Sequence, residues 1–322
     1  MCRKSEKASK SVSIYFGKYF FGSIAVDDVA DRSRKADMTM ELRPVQMKDI
    51  QACGRVMHEA FTDIAQRHNF PPDFPNAAVA EGLLSDLLNA PAFDAFAGEG
   101  EGRILGSIFV SRRSQVGGIS VLTIDPKAQN RGVGRGLLQH GMGFLTEQGH
   151  TRQQIIQVGY HNRSLCLYAK AGFIASEMLS NMTGKPIKAN IPSRGVRRAS
   201  ESYAAVCNTL CRKVHGFDRE HEVAHAIARG TAAVVESNGR ITGYTTGVGF
   251  VGHGVGETNE DLKALIASAD GFSGPGILIP TGNGELFRWC LDNGLKVVQQ
   301  MTLMDAHPSG PANGVYWPAV LS

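Results

Sequence analysis

No apolar run in this 322-residue chain approaches the ~18 residues that a membrane-spanning helix needs. A membrane partner is therefore not expected. Cysteine is scarce: the six, at positions 2, 53, 166, 207, 211 and 290, have no spacing that would frame a disulfide scaffold. Cys207 and Cys211 sit four apart on a helical pattern and so share a helix face. Reduced thiols in a cytoplasmic protein are the expectation. Charge of one sign is not in excess. The net charge is +4, too small to argue for nucleic acid. The most glycine-rich turn is not followed by Gly-Lys-Ser/Thr, which excludes a P-loop, and its glycines are not spaced Gly-x-Gly-x-x-Gly, which excludes the dinucleotide fingerprint.

That turn lies in residues 119–149, and the chain is organised around it. Ile119-Ser-Val-Leu-Thr-Ile124 is an apolar strand pattern, and Asp125-Pro126 turns the chain. Gln129-Asn130-Arg131-Gly132-Val133-Gly134-Arg135-Gly136 then leads into an apolar helical run over residues 137–145. A strand, a glycine-rich turn and a helix N-terminus together form an anion site. Backbone N–H groups point outward there, and the helix dipole adds about half a positive charge. Glycine lets the backbone approach a phosphate with no Cβ in the way.

The Gln129-x-x-Gly132-x-Gly134 spacing, with Leu122-Thr-Ile-Asp-Pro126 before it, resembles the pyrophosphate-binding motif of the GCN5-related N-acetyltransferases (GNAT). A second stretch, Asn162-Arg-Ser-Leu-Cys-Leu-Tyr168-Ala-Lys-Ala-Gly172-Phe173, resembles the family's Asn, Tyr and Gly-Phe pattern. Asn162 is expected to cap that helix and Gly172 to close it. The resemblance implies acetyl-CoA as acetyl donor. It implies a cofactor site of Leu122, Thr123 and Ile124 for the pantetheine arm and Gln129, Asn130, Arg131, Gly132, Val133, Gly134 and Arg135 around the phosphates, with Asn162 also binding the cofactor. Tyr168 matches the tyrosine that protonates the departing thiolate, and backbone N–H near Leu122 would polarise the thioester carbonyl. The implied fold is mixed α/β, a mostly antiparallel central sheet flanked by helices. The implied reaction is direct attack by an amine, from a small molecule or a peptide.

The remaining chain fits two tandem domains of this type. Residues 1–38 have a basic start and then an apolar stretch interrupted by Lys18. They read as a disordered extension rather than a secretory signal. Residues 39–183 hold the motifs above. Strand patterns lie at 92–97, 104–110 and 155–158, and helical ones at 48–61 and 79–88. Residues 184–200 are basic, with two prolines, and read as a linker. Residues 201–322 repeat the element order with helices at 203–214, 218–228, 258–268 and 285–293. Their strands are expected at 231–236, 241–247, 250–256, 277–280 and 295–303. Ser237-Asn-Gly-Arg240 marks a hairpin turn. The second half also resembles the second half of tandem GNAT proteins, without their phosphate motif. Its third helix opens Glu257-Thr-Asn-Glu-Asp261, which would repel a pyrophosphate, so it reads as degenerate.

Three further features carry candidate chemistry. His221-Glu222-Val223-Ala224-His225 has zinc-peptidase spacing but no strong third ligand downstream, and no metal is expected. His253, between two glycines, reads as structural or as a base. Glu59 and Asp63 stand where an acceptor wall is expected, and either one or a water relay would serve as general base. The reading is an N-acetyltransferase with one working site in the first half, as monomer or homodimer. A non-catalytic acyl-CoA-binding regulator is the alternative.

Overall fold

The computed structural model describes residues 39–308, 310 and 312–321; the reading of residues 1–38 lies outside them. The first half runs β1 (Glu41–Pro44), α1 (Ile50–Arg67), α2 (Ala77–Asn89), β2 (Phe93–Gly100), β3 (Arg103–Ser111), β4 (Gly117–Ile124), α3 (Val133–Glu147), β5 (Gln153–Val158), α4 (Asn162–Lys170) and β6 (Phe173–Thr183). The second runs β7 (Gly195–Arg198), α5 (Ala204–His215), α6 (Glu220–Ala228), β8 (Ala233–Ser237), β9 (Arg240–Thr245), β10 (Gly254–Gly256), α7 (Asn259–Ala267), β11 (Ile277–Pro280), α8 (Gly284–Asp292), β12 (Lys296–Ala306) and β13 (Val315–Trp317). Among the described residues no helix is long and apolar enough to cross a membrane.

Helical periodicity explains how the layers form. α1 buries Ile50, Cys53, Val56 and Met57 on one face, and α2 buries Ala80, Leu84 and Leu87. These pack on Phe93, Ala95, Ala97, Phe109 and Val121 on one side of the sheet. α3 buries Val133, Leu137, Leu138 and Leu145. With α4 it covers the opposite side, against Phe96, Leu105, Ile108, Val110, Ile119 and Ile155. Ile119 and Val121 are two apart on β4 and would ordinarily face the same way. They face opposite layers because the β3–β4 register slips by one residue between Phe109–Val121 and Val110–Ile119. This is a bulge, and bulges bend the strand that carries them.

The bend opens the sheet. β4 pairs with β5 in parallel only at Gly117–Gln153 and Gly118–Gln154, and past that point the two strands diverge. β5 takes its other partner from the far end of the chain. The large sheet has the order β1-β2-β3-β4-β5-β12-β6-β11, so β12 lies antiparallel between β5 and β6. Each half sends its sixth strand beside the fifth strand of the other. The two halves are consecutive in sequence but share one continuous sheet.

Three expectations need correction, and one strand was not expected. The segment expected as a linker contains β7, which pairs with β8, and it buries Ile187 and Ile191 in the second half's core. Helix α1 continues six residues past the expected 61, to Arg67, because four of those six are polar and the adjacent Ile64 and Ala65 alone give no periodic signal. The strand expected at 250–256 is ordered as strand only over Gly254–Gly256. β13 was not expected, because its three residues carry no period.

Candidate active site

The glycine turn follows β4 as expected, but α3 begins at Val133 rather than 137, so Gly134 and Gly136 lie in its first turns. Asp125 accepts a hydrogen bond from Lys127 N at 2.8 Å and turns the chain after β4. Asn130 and Gly132 take positive φ, 62° and 85°, so the backbone reverses twice before α3. Gly132 is the N-cap residue of α3 and brings no capping side chain. Its carbonyl takes the first helical bond, from Gly136 N at 2.9 Å, which leaves the N–H groups of the first turn for a ligand. A Cβ built on Gly134 would make only ordinary contacts, 3.4 Å to Ile124 Cγ1 and 3.5 Å to Leu167 Cδ2. Packing alone would therefore admit a larger residue at Gly134. Gln129 donates to the Ile124 carbonyl at 3.3 Å and accepts from Arg163. Arg131 pairs with Glu101 at 3.3 Å, and Arg135 is exposed. Arg163, at the start of α4, joins the turn through Gln129, and its sequence neighbours gave no sign of this.

The turn stands beside the diverging edge of β4. Leu122, Thr123 and Ile124 pair on one side with Ile108, Ser107 and Gly106 of β3. On the other side β5 has already turned away. This exposed strand edge followed by a helix N-terminus suits an extended arm ending in phosphates.

α4 lies along the same opening. Tyr168 is buried and meets Phe173 edge-on at 6.2 Å between ring centroids. Burial pushes its phenol up to about 12, opposed by a hydrogen bond with Ser164, so it stays protonated near neutrality. Asn162 does not cap α4. It is exposed and occupies the first helical position, while His161 is the N-cap. The β5–α4 turn places the cap one residue earlier because His161 N already bonds the Val158 carbonyl at 3.1 Å. His161 is half-buried and lies 2.6 Å through Nδ1 from Ser164 Oγ. Desolvation, with the nearby positive charges, holds its imidazole down at about 4, against a smaller opposing effect of Asp63. Of the two acids proposed for the acceptor wall, Asp63 is thus near His161, while Glu59 is exposed on α1. Gln157 on β5 is buried with neither amide atom hydrogen-bonded within the protein. It lies two residues from Ile155, which packs against the Tyr168 layer, and so projects to the same face.

The acetyltransferase (GNAT) family profile matches residues 58–173, from the middle of α1 through Gly172-Phe173. Residues 58–173 are thus similar to a GNAT-family domain. A mycothiol acetyltransferase of Beutenbergia cavernae is 34% identical over 76 residues, 23% of this chain and 26% of that relative; the chain thus spans about a quarter of that relative's length. In fold the similarity runs through both halves. A crystal structure from Pyrococcus horikoshii, described as a candidate acetyltransferase, superposes with a TM-score of 0.64 at 14% identity, over 86% of this chain and 94% of that one. A GCN5-related N-acetyltransferase from Sphaerobacter thermophilus gives 0.56 at 14% identity, over 86% and 98%.

Outside the GNAT match, the second half is arranged differently at the equivalent turn. α7 begins with a closed capping box: Thr258 N and Oγ1 both donate to Asp261 Oδ2, at 2.9 and 2.8 Å. Asp261 is fully buried and also takes Arg194 and Thr242. Glu257 is held by Lys213 and Arg240 at 2.7 and 2.5 Å, which draw its carboxyl down to about 2. The acids that looked like a repulsive wall are committed to internal partners. The strand edge is also filled. β13 pairs with β10 at Gly254–Trp317, Val255–Tyr316 and Gly256–Val315, and a Cβ on Gly254 would strike the Trp317 ring at 2.4 Å. The chain's own strand lies where the first half leaves β4 open.

The His-Glu-x-x-His stretch divides between solvent and core. His221 and His225 are exposed on α6, whereas Glu222 points inward to His253 Nδ1 at 3.0 Å and Arg219 at 3.0 Å. His253 Nε2 lies 2.9 Å from the Tyr244 hydroxyl. Burial alone would raise the Glu222 carboxyl, but His253 and Arg219 hold it well below its usual range. Desolvation lowers the His253 imidazole, and the Glu222 carboxylate opposes it. Its Nδ1 faces that carboxylate and its Nε2 faces the Tyr244 hydroxyl. Among the described residues no group of three or more His, Cys, Asp or Glu is placed to hold a metal ion. His253 is part of this buried network and lines a cavity of ≈ 320 Å³ where the halves meet.

Proposed function

We propose that the protein is an N-acetyltransferase that takes its acetyl group from acetyl-CoA and transfers it to an amine by direct attack, with one working site in the GNAT domain. The supporting observation is the conjunction of three features. The first turn of α3 offers N–H groups and no blocking side chain. The edge of β4 beside it is open from the bulge onward. A protonated, buried phenol stands on α4 along the same opening. The turn suits the pyrophosphate, and Leu122–Ile124 suit the amide-rich pantetheine arm. The unpartnered amide of Gln157 is a polar group suited to the acyl end of that arm. Tyr168 supplies the proton for the thiolate. The acceptor is an amine on a small molecule or a peptide.

The test is acetyl transfer from acetyl-CoA to a panel of polyamines, amino sugars, aminoacyl compounds and peptides, alongside calorimetric CoA binding. Turnover with at least one amine is expected. Replacing Tyr168 with Phe should lower kcat by about 10²-fold at near-constant CoA affinity. Binding of CoA without turnover by any amine would favour a non-catalytic regulator. A Tyr168→Phe protein as fast as wild type would leave Tyr168 as a core residue.

A further inference from the structure

The tyrosine is not isolated. A side chain on a helix leans toward the helix N-terminus, over the residue four positions earlier. For Tyr168 that residue is Ser164, so the two hydroxyls share one helix face a turn apart, and Ser164 works against the upward push of burial on the phenol. Ser164 sits three residues after the N-cap His161, and its Oγ lies 2.6 Å from His161 Nδ1. Three side chains, one turn apart, thus form a continuous line from the buried phenol to the half-buried imidazole at the β5–α4 turn. The groups that act electrically on His161 come from two elements: His68 and Asp63 from the end of α1, and Arg163 from α4 itself. Asp63 is also paired with Arg67 at 3.1 Å. The imidazole is therefore the group of this line that stands toward the α1 side, where the acceptor wall is expected.

We infer that His161 is the general base of the reaction and that Ser164 links it to Tyr168, so that the proton removed from the amine is matched by the one given to sulfur. This rests on the acetyltransferase reading above. As the amine nitrogen bonds to the acetyl carbon, its proton passes to His161 Nε2. His161 Nδ1–H gives its proton to Ser164, Ser164 gives its own to Tyr168, and Tyr168 gives its phenolic proton to the departing sulfur. The C–N bond forms, the C–S bond breaks, and one neutral amine plus one thioester become one amide plus one thiol with no net proton released. The line is set for this transfer because a neutral imidazole takes a proton at one nitrogen as it loses one at the other. His161 is held neutral across the physiological range.

The competing explanation is that the His161–Ser164 bond merely fastens the helix end. Two substitutions separate the readings. Asn is a better N-cap than His, so His161→Asn keeps or improves the cap while removing the proton carrier. Ser164→Thr keeps the hydroxyl, and Ser164→Ala removes it. Steady-state kinetics are to be measured with the best amine of the panel. The expected result is a loss in kcat of about 10²-fold for His161→Asn and Ser164→Ala. KM for acetyl-CoA should move by less than about twofold, and Ser164→Thr should stay near wild type. Ser164→Ala combined with Tyr168→Phe should be no slower than Tyr168→Phe alone, because links of one line fail together. Nitrogen NMR of ¹⁵N-histidine protein should show the His161 Nδ1 resonance shifting in both Ser164→Ala and Tyr168→Phe. An active wild type whose His161→Asn and Ser164→Ala forms keep kcat within about twofold overturns the relay and leaves the acetyltransferase reading standing. A His161 resonance indifferent to Tyr168→Phe also overturns it, with no turnover needed. A wild type that binds CoA and acetylates nothing overturns both.

Discussion

Replacing Gly134 with Glu separates the ligand from the fold at a single position. The backbone there is helical, and a new Cβ would find only ordinary van der Waals neighbours in Ile124 and Leu167. Leaving glycine for another residue inside a helix gains up to about 1 kcal/mol. A carboxylate in the first turn of α3 gains a further ~0.3–1 kcal/mol from the helix dipole. The mutant should therefore be at least as stable as wild type. CoA binding should respond in the opposite direction. A carboxylate ~4 Å from one phosphate charge costs about 1 kcal/mol in fully aqueous surroundings and about 4 kcal/mol at a surface-like effective dielectric of ~20. At about 1.4 kcal/mol per decade, this is a loss of roughly fivefold to a thousandfold in affinity. Gly134→Ala adds the carbon without the charge and should sit much closer to wild type. Isothermal titration with CoA, paired with a thermal melt, gives both quantities on the same samples. Higher salt should recover part of the charge penalty and none of a steric one. A folded Gly134→Glu protein that binds CoA within twofold of wild type would refute the placement of the phosphates at α3.

Calorimetry on the full chain should find one CoA per chain, because β13 fills the second half's strand edge and α7 uses its own acids to cap its first turn; a stoichiometry near two would contradict this. Glu222→Gln should cost about 3–5 kcal/mol, the usual price of stranding a buried charge such as Arg219, and lower Tm by roughly 6–20 °C at ~2–4 °C per kcal/mol. The pH dependence follows from the same pair. Glu222 folds with its carboxyl depressed and His253 with its imidazole depressed. Both contributions are full above the unfolded values, near 4.3 and 6.5, and both are lost on acidification, so Glu222→Gln should flatten the acid side of a Tm-against-pH curve. Purified protein should hold no stoichiometric zinc by elemental analysis, since Glu222 faces the core while His221 and His225 face solvent; one zinc per chain, lost in His225→Ala, would reverse that. A chain ended after Thr183 should not give a folded, CoA-binding unit, because β5 and β6 would face each other across the place of β12. A cooperative melt from that fragment would show the exchange to be dispensable.

Local chemistry was legible in the sequence where backbone requirements select residue types. The glycine turn, the Asn238-Gly239 hairpin with its positive φ at both residues, and β11 over Ile277–Pro280 all show this. Long amphipathic helices were legible too, apart from their polar ends. The choice of strand partner was not. Residues 295–303 look like a strand in either half, because alternation fixes the faces of β12 and says nothing of which edge receives it. The cap of α4 was misplaced for a related reason: Asn162 is the better capping residue by type, yet the chain leaves β5 early enough for His161 to take that place. The pairing of Glu222 with His253 was hidden because the two residues are brought together by tertiary packing, 31 positions apart. The second half was read as degenerate from its missing phosphate motif and its acids; that β13 also fills its strand edge was not legible, because three residues carry no period.

The exchange of β6 and β12 sets a timetable for biosynthesis. A chain leaves the ribosome from its N-terminus, and ordinary domains fold as they emerge. Here β5 ends at Val158 and waits for a partner that is complete only at Ala306. The sheet on which α3 and α4 rest therefore lacks an interior strand until residue 306 has been made. Pairings this distant along the chain are also slow to form. A product ended before β12 would carry every motif of the first half while lacking Met304 and Ala306, which pack in the core around Tyr168. The second half, though it has no phosphate turn of its own, thereby supplies an interior strand to the sheet beneath the first half's helices.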